Sequence, residues 1–165
     1  MSVVIGPTTW WLRSKEAADY YARICPLGTI LGDGSAVYRR AGGQAWIVAP
    51  AYTQIGDQWA SGCWNNTLIV GGGNSLCCIS SWPNVCNRLI CCGFNPCDWF
   101  IPDQNILFTA YNNRAFWDTY SSTIYWSSSE SNAAGACSLS FTNGIQSSLG
   151  KTNAWCVRSV RCVFL

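Results

Sequence analysis

The stretch IYWSSSESNAAGACSLSFTNGIQSSLGKTNAWCVRSVRCVF, residues 124–164, decides the fold class. Ile124 to Ser127 and Ala136 to Phe141 have the aromatic and β-branched texture of strands. Asn143-Gly144 is a strong hairpin signal, because both residues tolerate the positive φ of a tight turn. Ala154 to Phe164 alternates well enough to predict one final strand. Upstream, Asp103 to Tyr111 predicts a helix after Pro102, and residues 84–92 predict a short one with Val85, Leu89 and Cys92 on one face. Ala36-Val37-Tyr38 and Ala45-Trp46-Ile47-Val48 are strand candidates around the turn Ala41-Gly42-Gly43. Residues 50–76 read as loop, with Gly56, Gly62 and Gly71-Gly72-Gly73. Ser14 as N-cap and the spacing of Ala17, Tyr20, Tyr21 and Ile24 predict a helix over 15–24, stopped by Pro26 and Gly28. The reading is an extended arm, 1–13, and a single α+β domain, 14–165.

Composition bounds what such a domain does. A length of 165 residues fits one domain by the prior of roughly 100–200 residues each. Charged residues are 11% of the chain, far below the usual share of about 25%, which excludes the disordered class. The net charge is +2 and no basic run exceeds Arg39-Arg40, so the phosphate-binding patch of a nucleic-acid reader is missing from the sequence. With no His, Ser-His and Cys-His catalysis and imidazole zinc sites are excluded. No apolar run approaches the ~20 residues of a membrane-spanning helix. Met1 to Leu12 has no basic start and is interrupted by Gly6-Pro7-Thr8-Thr9, so no secretory signal is read there. The 11 Cys are an odd number, so at least one thiol has no partner within the chain. Many Cys without an export signal fits either a chain exported without a removable signal or one made with free thiols and oxidised later, and virus particles released by lysis fit the second route.

Three segments in a fixed order carry a family resemblance. They are Gly93-Phe94-Asn95-Pro96-Cys97-Asp98-Trp99-Phe100-Ile101-Pro102 leading into Asn105-Ile106-Leu107, then Tyr125-Trp126-Ser127-Ser128-Ser129-Glu130, then Val157-Arg158-Ser159-Val160-Arg161-Cys162. Phe141-Thr142-Asn143-Gly144 supplies a hairpin between the last two. The order resembles the Lcl C-terminal domain family and the related Fibrobacter major paralogous domains over roughly residues 28–165. Ile101 stands where that family has Leu, and Asp103-Gln104-Asn105 replaces its acidic pair. The resemblance implies a C-type-lectin-like fold: two short helices, small antiparallel sheets and long loops. It implies no fixed activity, and it points to bacterial surface adhesins and bacteriophage particles. The early helix and the last strand lie together in that fold, so it also implies Cys25 with Cys162 as a candidate disulfide.

Each chemically suggestive group has a plainer reading beside it. Cys77-Cys78, Cys86, Cys91-Cys92 and Cys97 cluster, but no C-x2-C spacing exists, so buried thiols and disulfides are preferred to zinc. Glu130 is a candidate calcium or sugar ligand, yet Glu130-Ser131-Asn132 and Trp64-Asn65-Asn66 each lack a member of the sugar-binding patterns, and calcium wants several carboxylates. The favoured reading is a structural ion pair of Glu130 with Arg158, chosen over Arg161 because it lies deeper in the predicted strand. Asp98, Asp103 and Asp118 read as turn and cap acids rather than a hydrolytic pair. Lys151 sits in a polar turn, poor support for Ser-Lys catalysis. The active-site signature of formylglycine-generating enzymes, which share the broad fold, has no counterpart here.

Trp99 and Trp126 read as core, whereas Trp59, Trp64 and Trp82 are candidate surface contacts. Val3, Val4, Ile5, Trp10 and Trp11 make the arm a partner-binding segment with a free strand edge and aromatic anchors. The expected function is therefore binding without catalysis, cofactor or metal. The expected setting is a virion, as capsid decoration or as a fibre or spike exposed to the host surface. The arm would meet other virion proteins in a homo-oligomer, and the exposed face a host glycan or protein. The alternative is a bacterial surface or secreted adhesin module.

Overall fold

The computed structural model describes residues 15–32, 34–59, 99–117, 119–121 and 123–165. The arm, the helix expected at 84–92, the Cys cluster at 77–97, Trp64 and Trp82 lie outside the described residues. Within them the chain is a mixed α+β domain with two α-helices and two small sheets.

Helix α1, Lys15–Ile24, covers the expected span. It leads to the hairpin of β1, Ala36–Ala41, and β2, Gln44–Val48. Gly42 and Gly43 join them with φ of 59° and 72°, the two positive values of a two-residue turn that matches strand twist. After a 3-10 turn at Ala51–Thr53 comes β3, Ile55–Gln58, inside the stretch expected to be loop. Helix α2, Gln104–Asn112, begins where Asp103 Oδ1 accepts from Ile106 N at 2.7 Å, an N-cap that satisfies an otherwise orphaned donor. Then follow β4, Ile124–Glu130, β5, Gly135–Ser140, and β6, Gln146–Gly150. Next come β7, Ala154–Val157, and β8, Val160–Phe164.

The single final strand expected over 154–164 is two strands in different sheets. β7 lies between β3 and β4 in the five-stranded sheet β3-β7-β4-β5-β6, whereas β8 pairs with β2 in the three-stranded sheet β1-β2-β8. Arg158 and Ser159 make the crossing. Ala49 N donates to Ser159 O at 2.9 Å and Arg158 Nε donates to Ala49 O at 2.8 Å, so one residue after β2 anchors both. Hydrophobic alternation continues through the crossing, which is why the pattern does not reveal a change of sheet. The pairing is antiparallel except between β4 and β7, which run parallel at Tyr125 and Cys156.

Strand alternation divides the core. One face of the three-stranded sheet carries Val37, Ala45, Ile47 and Val163 against Ala22 of α1. The other carries Tyr38, Val48 and Val160 against Leu107 and Ala110 of α2 and the ring of Phe141. Trp59, Ile101, Trp126 and Val157 fill a third cluster beside the five-stranded sheet. A bulge between Val37 and Arg39 shifts the β1 register. It moves Arg40 onto the α1 side, where its Nη2 donates to Ala22 O at 2.7 Å and also to Cys25 O. The guanidinium thus caps the carbonyl end of α1, where a cation also suits the helix dipole.

Candidate functional site

Among the described residues three cations are buried, and each sits over a tryptophan. Lys151 Nζ lies 4.9 Å from the Trp59 ring centroid, Arg158 Cζ 5.0 Å from that of Trp117, and Arg161 Cζ 5.3 Å from that of Trp99. Burying a charge is costly unless it is paired and hydrogen-bonded, and each of these is held. Arg161 Nη1 donates to Asp19 Oδ1, tying β8 to α1. Arg158 donates to Ala49 O and Thr119 O. Lys151 Nζ donates to Glu130 Oε1.

That last contact corrects the expected Glu130–Arg158 pair. Glu130 closes β4 opposite Ala136 of β5, and Ala136 faces Leu149 of β6. Lys151 follows β6, and its N–H donates to Ala134 O at 3.0 Å. The cation nearest to Glu130 therefore comes across β5 and β6, not from the segment after β7. Lys151, expected in a polar turn, is 1% exposed. Trp59, expected as a surface contact, is equally buried and donates from Nε1 to Ser127 O at 2.7 Å. Trp99 and Trp126 are core, as expected.

The expected Cys25–Cys162 disulfide is also corrected, since both residues are free thiols. Arg161 points at α1, so its neighbour Cys162 points to the opposite face of the sheet, away from Cys25 at the end of α1. Burial pushes the thiols of Cys25, Cys137, Cys156 and Cys162 up, which keeps them protonated at neutral pH.

A closed polar set lies where β3, β4 and β7 meet. Tyr125 OH donates to Gln54 Oε1 at 2.6 Å and accepts from Ser121 N at 2.9 Å. Gln54 Nε2 donates to Ser121 Oγ at 2.8 Å and to Cys156 Sγ at 3.5 Å. Burial raises the Tyr125 hydroxyl, so at neutral pH it works as a hydrogen-bonding group that locks the sheet. Among the described residues, no group of three or more His, Cys, Asp or Glu is placed to hold a metal.

The surface beside α2 differs from these enclosed groups. Phe108 is 38% exposed and its ring stacks on Tyr111 with centroids 6.4 Å apart. Arg114 lies over the Tyr111 ring at 3.9 Å. Tyr111 meets Phe141 edge-on at 5.4 Å, and Phe141 meets Tyr120, another half-exposed ring, at 5.8 Å. Exposed aromatics here are continuous with the core, giving a rigid contact area at little entropic cost. Sequence reading placed the contact aromatics on Trp residues in loops. The signal for this surface was Phe108, one position off the buried Leu107-Ala110 stripe of its helix.

No protein-family model matches the chain, and no curated protein matches it.

Proposed function

We propose that this chain is a binding domain with a C-type-lectin-like fold, serving as a non-enzymatic structural component of a virion. Its contact area is the aromatic surface of Phe108, Tyr111 and Tyr120. The observation that carries the reading is the contrast between enclosed charges and presented rings. Lys151, Arg158 and Arg161 are spent on internal carboxylates, carbonyls and tryptophans, while core-backed aromatics face outward. Aromatic residues backed by a packed core, with an arginine stacked among them as Arg114 is on Tyr111, are the usual anchors of protein recognition. The proximity of α1 to β8, through Asp19 and Arg161, supports the lectin-like arrangement.

The test is the location of the chain in a lysate of infected cells. Gradient-purified particles should contain it in stoichiometric amount, and Phe108→Ala should weaken its attachment to particles lacking it. A chain absent from particles and retained on the bacterial envelope overturns the virion reading in favour of a surface adhesin.

A further inference from the structure

We propose that β6 is a self-pairing edge, through which two copies of this chain join antiparallel into one continuous sheet. The pairing stands apart from what the aromatic surface binds. β6 ends the five-stranded sheet, and Gln146, Ser147, Ser148 and Gly150 are all exposed. The register with β5 fixes which backbone groups remain open. Ser140 N donates to Ile145 O at 3.0 Å and Lys151 N to Ala134 O at 3.0 Å, so pairs 140/145 and 134/151 are hydrogen-bonded. Antiparallel bonding alternates, so Ser138/Ser147 and Ala136/Leu149 are bonded pairs as well. Gln146, Ser148 and Gly150 then turn their backbone N–H and C=O groups away from β5.

The other strand edges among the described residues carry the usual protection against such pairing. β1 has a bulge and the charges of Arg39 and Arg40. β3 is four residues long and contains Asp57. β8 contains Arg161 and is bridged at Val160 by Phe100. β6 has no charge, no proline and no bulge, and no charged residue occurs from Ser131 to Gly150. A second copy therefore brings no like charge to the seam. The partner is self-complementary: with the two-fold axis between the two Ser148 residues, each Ser148 exchanges both backbone bonds with its counterpart. Gln146 of each copy then faces Gly150 of the other, N–H to C=O. Ser148 and Gly150 are small, so the seam meets no bulky side chain at its centre.

The experiment is sedimentation equilibrium of the full chain from about 10 µM to about 1 mM, with hydrogen exchange at both ends of the range. The wild type should show a monomer–dimer equilibrium, and the Ser148 and Gln146 amides should become protected as the dimer forms. Ser148→Pro removes an outward-facing N–H, which an edge strand tolerates, and Ser148→Lys sets two ammonium groups against each other at the axis; both also lose the exposed hydroxyl contact of Ser148 with Ser131. Either change should weaken dimerisation about tenfold or more, with the amides exchanging freely. If the proline variant fails to fold, the lysine variant decides alone. A monomer throughout the range, or an oligomer indifferent to Ser148→Lys, overturns the proposal.

Discussion

Glu130 and Lys151 form an ion pair whose side chains are 9% and 0% exposed, so removing one partner takes a counter-ion from a charge that stays buried. Glu130→Gln or Lys151→Met alone should cost about 3–5 kcal/mol in urea unfolding, and the double variant should recover part of that loss. Simple additivity would show that the two residues are uncoupled. The pair was half legible in the sequence. The acid at the end of a strand asked for a cation, but the two weighed were Arg158 and Arg161, and only the register across β5 and β6 brings in Lys151. Tyr38 poses a different problem, because its buried hydroxyl finds no hydrogen-bond partner among the described residues. Burial pushes that hydroxyl well above the ordinary tyrosine range, and it raises the Tyr125 hydroxyl and the thiols of Cys25, Cys137, Cys156 and Cys162 too. These groups stay protonated in the folded chain at a pH where the unfolded chain ionises, so the folded state binds more protons. Stability is therefore full at neutral pH and falls as pH rises past about 9, where unfolded thiols and then tyrosines ionise. Thermal melts between about pH 7 and pH 11 should show this decline. Tyr38→Phe should raise neutral stability by about 1 kcal/mol and make the alkaline decline shallower.

At the scale of elements, the turns are as informative as the strands. Gly144 has φ of 77°, and a Cβ there would lie 2.7 Å from Tyr111 Cε1. Gly144→Ala should destabilise by about 2 kcal/mol from backbone strain alone, and the shifted Tyr111 ring should show in near-UV circular dichroism. An unchanged melting curve would mean that the turn relaxes freely. Asn143-Gly144 was readable because its chemistry is local, and so were the span of α1 and the Gly42-Gly43 hairpin, although Tyr20 and Ile24 of the expected apolar face are exposed and Ala22 is the α1 residue in the core. The elements that escaped reading depend on distant partners. β3 is four residues long and exists through its pairing with β7, almost a hundred positions away. β7 and β8 look like one strand because changing sheets at Arg158 alters no periodicity. The bulge at Tyr38 left no mark in the sequence, yet it decides that Arg40, rather than Arg39, reaches the end of α1.

For the molecule as a whole, the charge-poor composition and the enclosed cations describe a fold held by packing and internal pairing. Exhaustive chelation with EDTA should leave its melting temperature unchanged, and a fall of several degrees would reveal a metal site in the residues not described. Deleting residues 1–11 should leave a domain with an intact melt that no longer joins its assembly. If the truncated chain unfolds, those residues belong to the core. The candidate site was less legible than the fold, because whether an aromatic side chain is buried or presented depends on which elements cover it. Trp59, expected at the surface, is buried for that reason, and Phe108, to which no role was assigned, is presented. The crossing at Arg158 and Ser159 also bears on how the protein is made. Residues 154–164 supply the strand that joins β3 to β4 and the strand that completes the sheet under α1. While they are still within the ribosome, β1 and β2 form a hairpin without β8, and β3 lacks β7, its neighbour among the described strands. Hairpins of that size are marginal in water. Both sheets therefore close in one late, long-range event, and the nascent chain must stay unaggregated until synthesis has passed Phe164.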